Sequence, residues 1–224
     1  ENYEELRQKS SEKPSESQTN PSGNKLNPNN ESENRKKIAF VGFCSDEGVK
    51  RNHGRVGARD GPHAIRQALK GLPLHRSMNR VELFDCGDIH IDTELEEGHI
   101  ELAKITREIG KYVDLVIVLG GGHEVAYGHF LGQWGGDLLE DQPNKNLESP
   151  PGVFNFDAHF DLRKMDQPSS GTPFIQMIEL CSKYDQKLDY RVFGIQKASN
   201  TKTLFETAKE HQVEYLETEE IFDL

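Results

Sequence analysis

Asp157-Ala158-His159-Phe160-Asp161 sets two carboxylates and an imidazole at alternate positions of one short segment. In extended backbone, residues two apart face the same way, so all three side chains can project into one pocket. Carboxylates clustered beside an imidazole repel and desolvate one another unless a cation or dense hydrogen bonding compensates, which makes a divalent metal the simplest occupant. A second segment, Gly120-Gly121-Gly122-His123-Glu124, follows the most apolar run of the chain. Its glycines permit a sharp turn and a close backbone approach, and His123 would be delivered at the strand mouth as a fourth ligand. Imidazole and carboxylate together suit Mn, Fe, Co, Ni or Zn better than Ca. The competing reading of the first segment is a solvated acidic turn. That of the second is a phosphate cradle, but neither the G-x-G-x-x-G spacing nor a following Lys-Ser/Thr pair is present.

The elements that must position these groups alternate between strand and helix. Residues 38–43 read as a short buried strand, followed by a polar, Gly-rich loop through Gly61. Pro62 suits the first turn of a helix whose apolar positions are Ile65, Ala68 and Leu69, with Gly71 as its cap. Residues 81–84 read as a strand, and Ile100, Leu102, Ile105, Ile109 and Tyr112 as a helical stripe. The nearly continuous apolar run 113–119 predicts a central parallel strand covered on both faces. Strands are then expected at 153–156, 190–195 and 213–216, with helices at 174–181 and 204–209. Such alternation implies α/β architecture, a mainly parallel sheet with helices on both sides. Sites in such sheets lie outside the carboxyl ends of the strands, where both segments fall.

Composition limits the function classes. Among residues 1–37 the only clearly apolar side chains are Tyr3, Leu6 and Leu26, too few to offset the ordering entropy, so this segment is read as a disordered tail and residues 38–224 as the folded domain. A net charge of −11 disfavours nucleic acid and anionic membranes as partners. No apolar run is long enough to span a bilayer and no signal-peptide core is visible, so a cytoplasmic location is expected. Cys44, Cys86 and Cys181 are odd in number and in no metal-ligand spacing, which fits a reducing compartment. His53, His63, His75, His90, His99, His129 and His211 have no partner pattern and are read as structural or surface. Glu124 is read equally as support for His123 and as a carboxylate at a helix start.

The two segments, together with Arg55-Val-Gly57-Ala-Arg-Asp-Gly61-Pro62-His-Ala-Ile65-Arg66, resemble the ureohydrolase superfamily of arginases and agmatinases in order and separation. Within it, Gly120 to Glu124, the run Asp157 to Arg163 and Ser169-Ser170-Gly171-Thr172-Pro173-Phe174 are most similar to formiminoglutamase. The resemblance implies a three-layer α/β/α fold and a binuclear Mn2+ site. His123 would bind one ion and His159 the other, with Asp157 bridging them, while Asp161 binds the first ion and holds the attacking hydroxide. Two such cations lower the pKa of a shared water and stabilise the charge of attack. The implied reaction, a step of histidine degradation, is hydrolysis of N-formimino-L-glutamate to L-glutamate and formamide. Its substrate is a small molecule carrying a carboxylate, and the enzyme could be a homo-oligomer. Arginase-like enzymes place a His where this chain has Phe174, which argues against arginase.

Substrate selection is expected just beyond the ligands. Continued alternation would aim Arg163 into the same mouth, where bidentate pairing with a carboxylate is plausible, the alternative being a surface arginine on a loop. Ser170, Gly171 and Thr172 either hydrogen-bond substrate or cap the helix near Pro173, and Asn52 and Arg55 are further candidates to face substrate. The family's remaining two ligands belong to a later Asp-x-Asp motif, and no such motif follows Asp161. Residues 38–224 are therefore read as a partial domain, roughly two C-terminal strands short. Alternative functions are a guanidino hydrolase of the agmatinase or arginase kind, or a truncated, inactive family member with a structural or regulatory role.

Overall fold

A computed structural model describes residue 4 and residues 35–73, 80–91, 94–135 and 148–222. All of the expected tail except residue 4 and the residues adjoining the first strand, and His75, lie outside the described residues.

The chain forms β1 (Lys36–Cys44), α1 (Glu47–Arg51), a 3-10 turn (Ala58–Asp60), α2 (Gly61–Leu69), β2 (Val81–His90), α3 (Leu95–Ile109), β3 (Leu115–Leu119) and α4 (Val125–Trp134). It continues with β4 (Val153–Phe156), α5 (Pro173–Lys183), β5 (Tyr190–Ile195), a 3-10 turn (Lys197–Ser199), α6 (Lys202–Glu210), β6 (Glu214–Glu217) and α7 (Thr218–Phe222). Every pairing between the six strands among the described residues is parallel, as the alternation predicts. Among the described residues the strands form two three-stranded parallel sheets, in the orders β2-β1-β3 and β4-β5-β6. Each sheet has its own core. Ala39, Val41 and Phe43 of β1 pack with Phe84, Leu95, Leu102 and Ile109 in the first. Phe160, Leu162, Met177, Val192 and Ile195 pack with Phe130 and Trp134 of α4 in the second. α4 links the two, since Val125 at its start packs against the first core and its later aromatics sit in the other.

Several sequence expectations fail. Residues 113–119 were expected to be central and covered, but β3 has only β1 as a neighbour among the described residues, and Leu115 is half exposed. β4 is likewise an edge strand here, with Phe154 and Phe156 largely in solvent. The stripe of Ile65, Ala68 and Leu69 is exposed as well. α2 is instead held at its first turn, where Pro62 is buried, and through Arg66, which pairs with Asp85 and Asp88 of β2. That helix ends at Leu69 with Lys70, not Gly71, as its cap.

Candidate metal centre

The carboxyl ends of β3 and β4 deliver the two chemical segments to one place. After Leu119 the backbone passes close to β1, with Gly121 N–H donating to the Phe43 carbonyl at 2.9 Å and Gly122 N–H to Ser45 O at 3.0 Å. A Cβ at Gly121 would overlap the Ser45 carbonyl, so glycine is required there for steric reasons. His123 then points across to the residues that follow β4. Its Nδ1 lies 2.8 Å from Asp161 Oδ2 and 3.2 Å from Asp157 Oδ2. Asp157 reaches the other way as well, with Oδ1 at 3.1 Å from His159 Nδ1. One carboxylate thus lies between two imidazoles.

The convergence does not come from the extended alternation expected of the sequence. β4 ends at Phe156, residues 157–159 bend, and Asp161 adopts a left-handed φ of 47°. A non-glycine residue in that region costs roughly 1–3 kcal/mol, though aspartate tolerates it better than most. The bend is braced by residues that no sequence motif marks. Asn200 accepts from Phe160 N–H at 3.0 Å and donates to Ala158 O at 2.7 Å. The buried Tyr190 hydroxyl donates to Phe160 O at 2.9 Å and accepts from Asn155 Nδ2 at 3.2 Å. Tyr190→Phe would leave a buried carbonyl and a buried amide unpaired, so a loss of about 1–3 kcal/mol is expected. Urea denaturation measures it, and an unchanged midpoint would remove Tyr190 from the brace.

Electrostatics fit a cation-accepting cluster. Burial works against a charged His123, but its hydrogen bonds to Asp157 and Asp161 outweigh that and hold its pKa up at about 9. Burial likewise opposes ionisation of Asp157, and the bond from His123 overcomes it, bringing the carboxyl down to about 2. In the metal-free protein near neutral pH, His123 therefore carries a proton that a cation must displace. Affinity for a divalent ion is expected to rise as pH increases, up to tenfold per unit for this one proton, and to level off above about pH 9. Calorimetry in buffers of different protonation enthalpy checks this, and release of no protons at pH 7 would contradict it. His123, Asp157 and Asp161 each offer a ligand atom within 4.8 Å of the others, and the half-exposed His159 flanks Asp157. This nitrogen and oxygen donor set is one that a transition-series divalent cation takes.

The other candidates separate into groups. Asn52 donates to Ser170 Oγ at 3.1 Å and accepts from Arg163 Nη1 at 3.0 Å, so the three form one polar group. Gly171 packs beside both Arg163 and Asn52, and its carbonyl accepts from Arg163 N–H at 3.0 Å. Arg163 reaches this position because the 163–171 loop folds back, not by continued alternation. Thr172 is buried. Its Oγ1 accepts from Ser169 N–H at 2.9 Å and lies 2.8 Å from Gln176 Oε1, so it shapes the loop ahead of α5. Arg55 is exposed, and no contact among the described residues joins it to the cluster. Glu124 is fully buried, with Oε1 accepting from Gly48 N–H at 3.0 Å; burial raises its pKa to about 7. It ties the His123 turn to α1, which leads into Asn52, a role that its position at a helix start did not reveal.

Parallel strands whose carboxyl ends gather imidazole and carboxylate groups define an α/β protein with a site suited to a divalent cation. The chain belongs to the arginase family, whose family model matches residues 36–224. It is 42% identical over 173 residues to formimidoylglutamase of Chromobacterium violaceum, covering 77% of this chain and 52% of that protein. The formimidoylglutamase of Clostridium tetani is also 42% identical, over 182 residues, covering 80% and 52% respectively. The chain thus spans about half the length of these relatives. Among solved structures, Trypanosoma cruzi formiminoglutamase with Mn2+ superimposes with a TM-score of 0.67 at 28% identity, covering 84% of this chain and 62% of that one.

Proposed function

We propose that the full-length protein is a formiminoglutamase, hydrolysing N-formimino-L-glutamate to L-glutamate and formamide. The observation that carries this reading is the carboxylate of Asp157 held between His123 and His159, with Asp161 closing on His123. His123 and Asp161 would hold one Mn2+ and His159 the other, with Asp157 shared, and the further carboxylates that the family resemblance implies would come from chain outside these residues. When bound, the pair of cations supplies an activated water near neutral pH and charge stabilisation during attack. Asp161 turns Oδ2 toward His123, which leaves Oδ1 to accept the proton of the attacking water. Water adds to the formimino carbon, the bond from that carbon to the glutamate nitrogen breaks, and that nitrogen leaves with a proton.

Arg163, set by Asn52 and Ser170, binds a substrate carboxylate, with Gly171 leaving room beside the guanidinium. Phe174 is buried, stacked on Tyr190 and edge-on to His123 with ring centroids 5.3 Å apart. A side chain without a titratable group at this position favours the formimino reading over arginase. Formamide release from N-formimino-L-glutamate, measured beside urea release from arginine and agmatine, tests the proposal. Formamide alone is expected; urea alone would replace the proposal with a guanidino hydrolase.

A further inference from the structure

A second group of ligand-type side chains lies at the other side of the first sheet. Cys44 ends β1, and in the parallel register its Cα partner on β2 is His90. Asp88 pairs with Gly42, two residues earlier on each strand. A register shift between Phe40 and Gly42, with Gly87 at a φ of 81°, precedes this pairing. Gly42 has no side chain, and the Asp88 carboxylate fills the space that a Cβ would take, bringing it across β1 toward the thiol. Arg66 fixes that carboxylate by donating from Nη1 to Oδ1 at 2.5 Å while also pairing with Asp85. The donor atoms of Cys44, Asp88 and His90 all lie within 4.8 Å of one another.

We propose that Cys44, Asp88 and His90 bind a thiophilic divalent cation of the zinc class, at a site separate from the His123 and Asp157 cluster. The donors are one sulfur, one oxygen and one imidazole nitrogen, with the fourth tetrahedral position left to water. Zinc bonds of about 2.0–2.3 Å put tetrahedral ligands about 3.3–3.8 Å apart, which lies within the 4.8 Å that spans the three donor atoms. Binding exchanges the Cys44 S–H proton, released to solvent, for a sulfur–metal bond, with no change of oxidation state. Before that exchange burial and the Asp88 carboxylate raise the thiol pKa, with Arg66 and Arg59 opposing them and Asp60 adding to them. The thiolate then leaves a local excess of negative charge for the cation to neutralise. Cys44 is buried while His90 is exposed, so the ion enters from the His90 side. A thiolate selects Zn2+ or Co2+ over Mn2+, whereas the His123 cluster has no sulfur.

The test is titration of the full-length, Mn2+-loaded protein with Co2+, following the near-ultraviolet thiolate-to-cobalt charge-transfer band that nitrogen and oxygen ligands do not produce. One equivalent is expected to develop the band, and Zn2+ to abolish it. Cys44→Ser should remove it, Cys86→Ser should retain it, and His90→Ala, at an exposed side chain, should weaken Co2+ binding tenfold or more. Absence of the band, its survival in Cys44→Ser, or unaltered affinity in His90→Ala would overturn the site.

Discussion

Asp157→Asn in the full-length protein is expected to lower amidine hydrolysis by roughly a thousand-fold or more, about 4 kcal/mol of transition-state stabilisation. The substitution keeps the shape of the side chain but removes the one carboxylate that faces both imidazoles, at 3.2 Å from His123 and 3.1 Å from His159. An amide offers a single oxygen ligand, and its NH2 group would point at one of the two positions proposed for a cation. Because the hydrogen bond from His123 outweighs burial and brings Asp157 down to about 2, the native group is ionised across the working pH range. The lost charge is therefore the full charge. Manganese content and kcat/KM should fall together, and thermal unfolding of the metal-free variant separates this from a folding defect. A variant that keeps both manganese and activity would remove Asp157 from the centre.

Arg163→Ala is expected to cost about 1.5–3 kcal/mol, roughly 10–150-fold in kcat/KM, expressed mainly through KM. The guanidinium is already placed by Asn52, which is itself placed by Ser170, so little side-chain entropy remains to be lost on binding. Arg163→Lys should recover only part of the loss, because an ammonium cannot form the two parallel bonds that a guanidinium makes to a carboxylate. An amidine substrate lacking the carboxylate should be hydrolysed equally by wild type and variant. Unchanged KM for the carboxylate substrate in Arg163→Ala would make Arg163 a surface residue.

What the sequence made legible follows physical range. β5 is bounded at Tyr190–Ile195 as expected, and α5 contains the expected 174–181, because apolar periodicity is a local property. His123, Asp157 and Asp161 were recognisable as one cluster because ligand-type side chains recur on segments that follow strands. The path by which they meet was not. Asp161 arrives through a left-handed turn held by Asn200 and Tyr190, which lie 40 and 30 residues away from Phe160. Arg163 was assigned a position by alternation, yet it reaches Asn52 through a loop that folds back on itself. The apolar run at β3 promised a covered strand, but covering depends on neighbours that composition does not name, and among the described residues β3 has only β1. Register was equally invisible. Cys44 and His90 show no spacing that marks a site, and only the parallel pairing of β1 with β2 sets them side by side.

The central claim is that His123, Asp157, His159 and Asp161 hold two manganese ions sharing one carboxylate. Anomalous scattering at the manganese edge, from crystals of the full-length protein grown with Mn2+, tests it most directly. Two peaks about 3.5–4 Å apart are expected, one beside His123 and Asp161, the other beside His159, with Asp157 reaching both. A single peak, or none within coordinating distance of these four side chains, would contradict it.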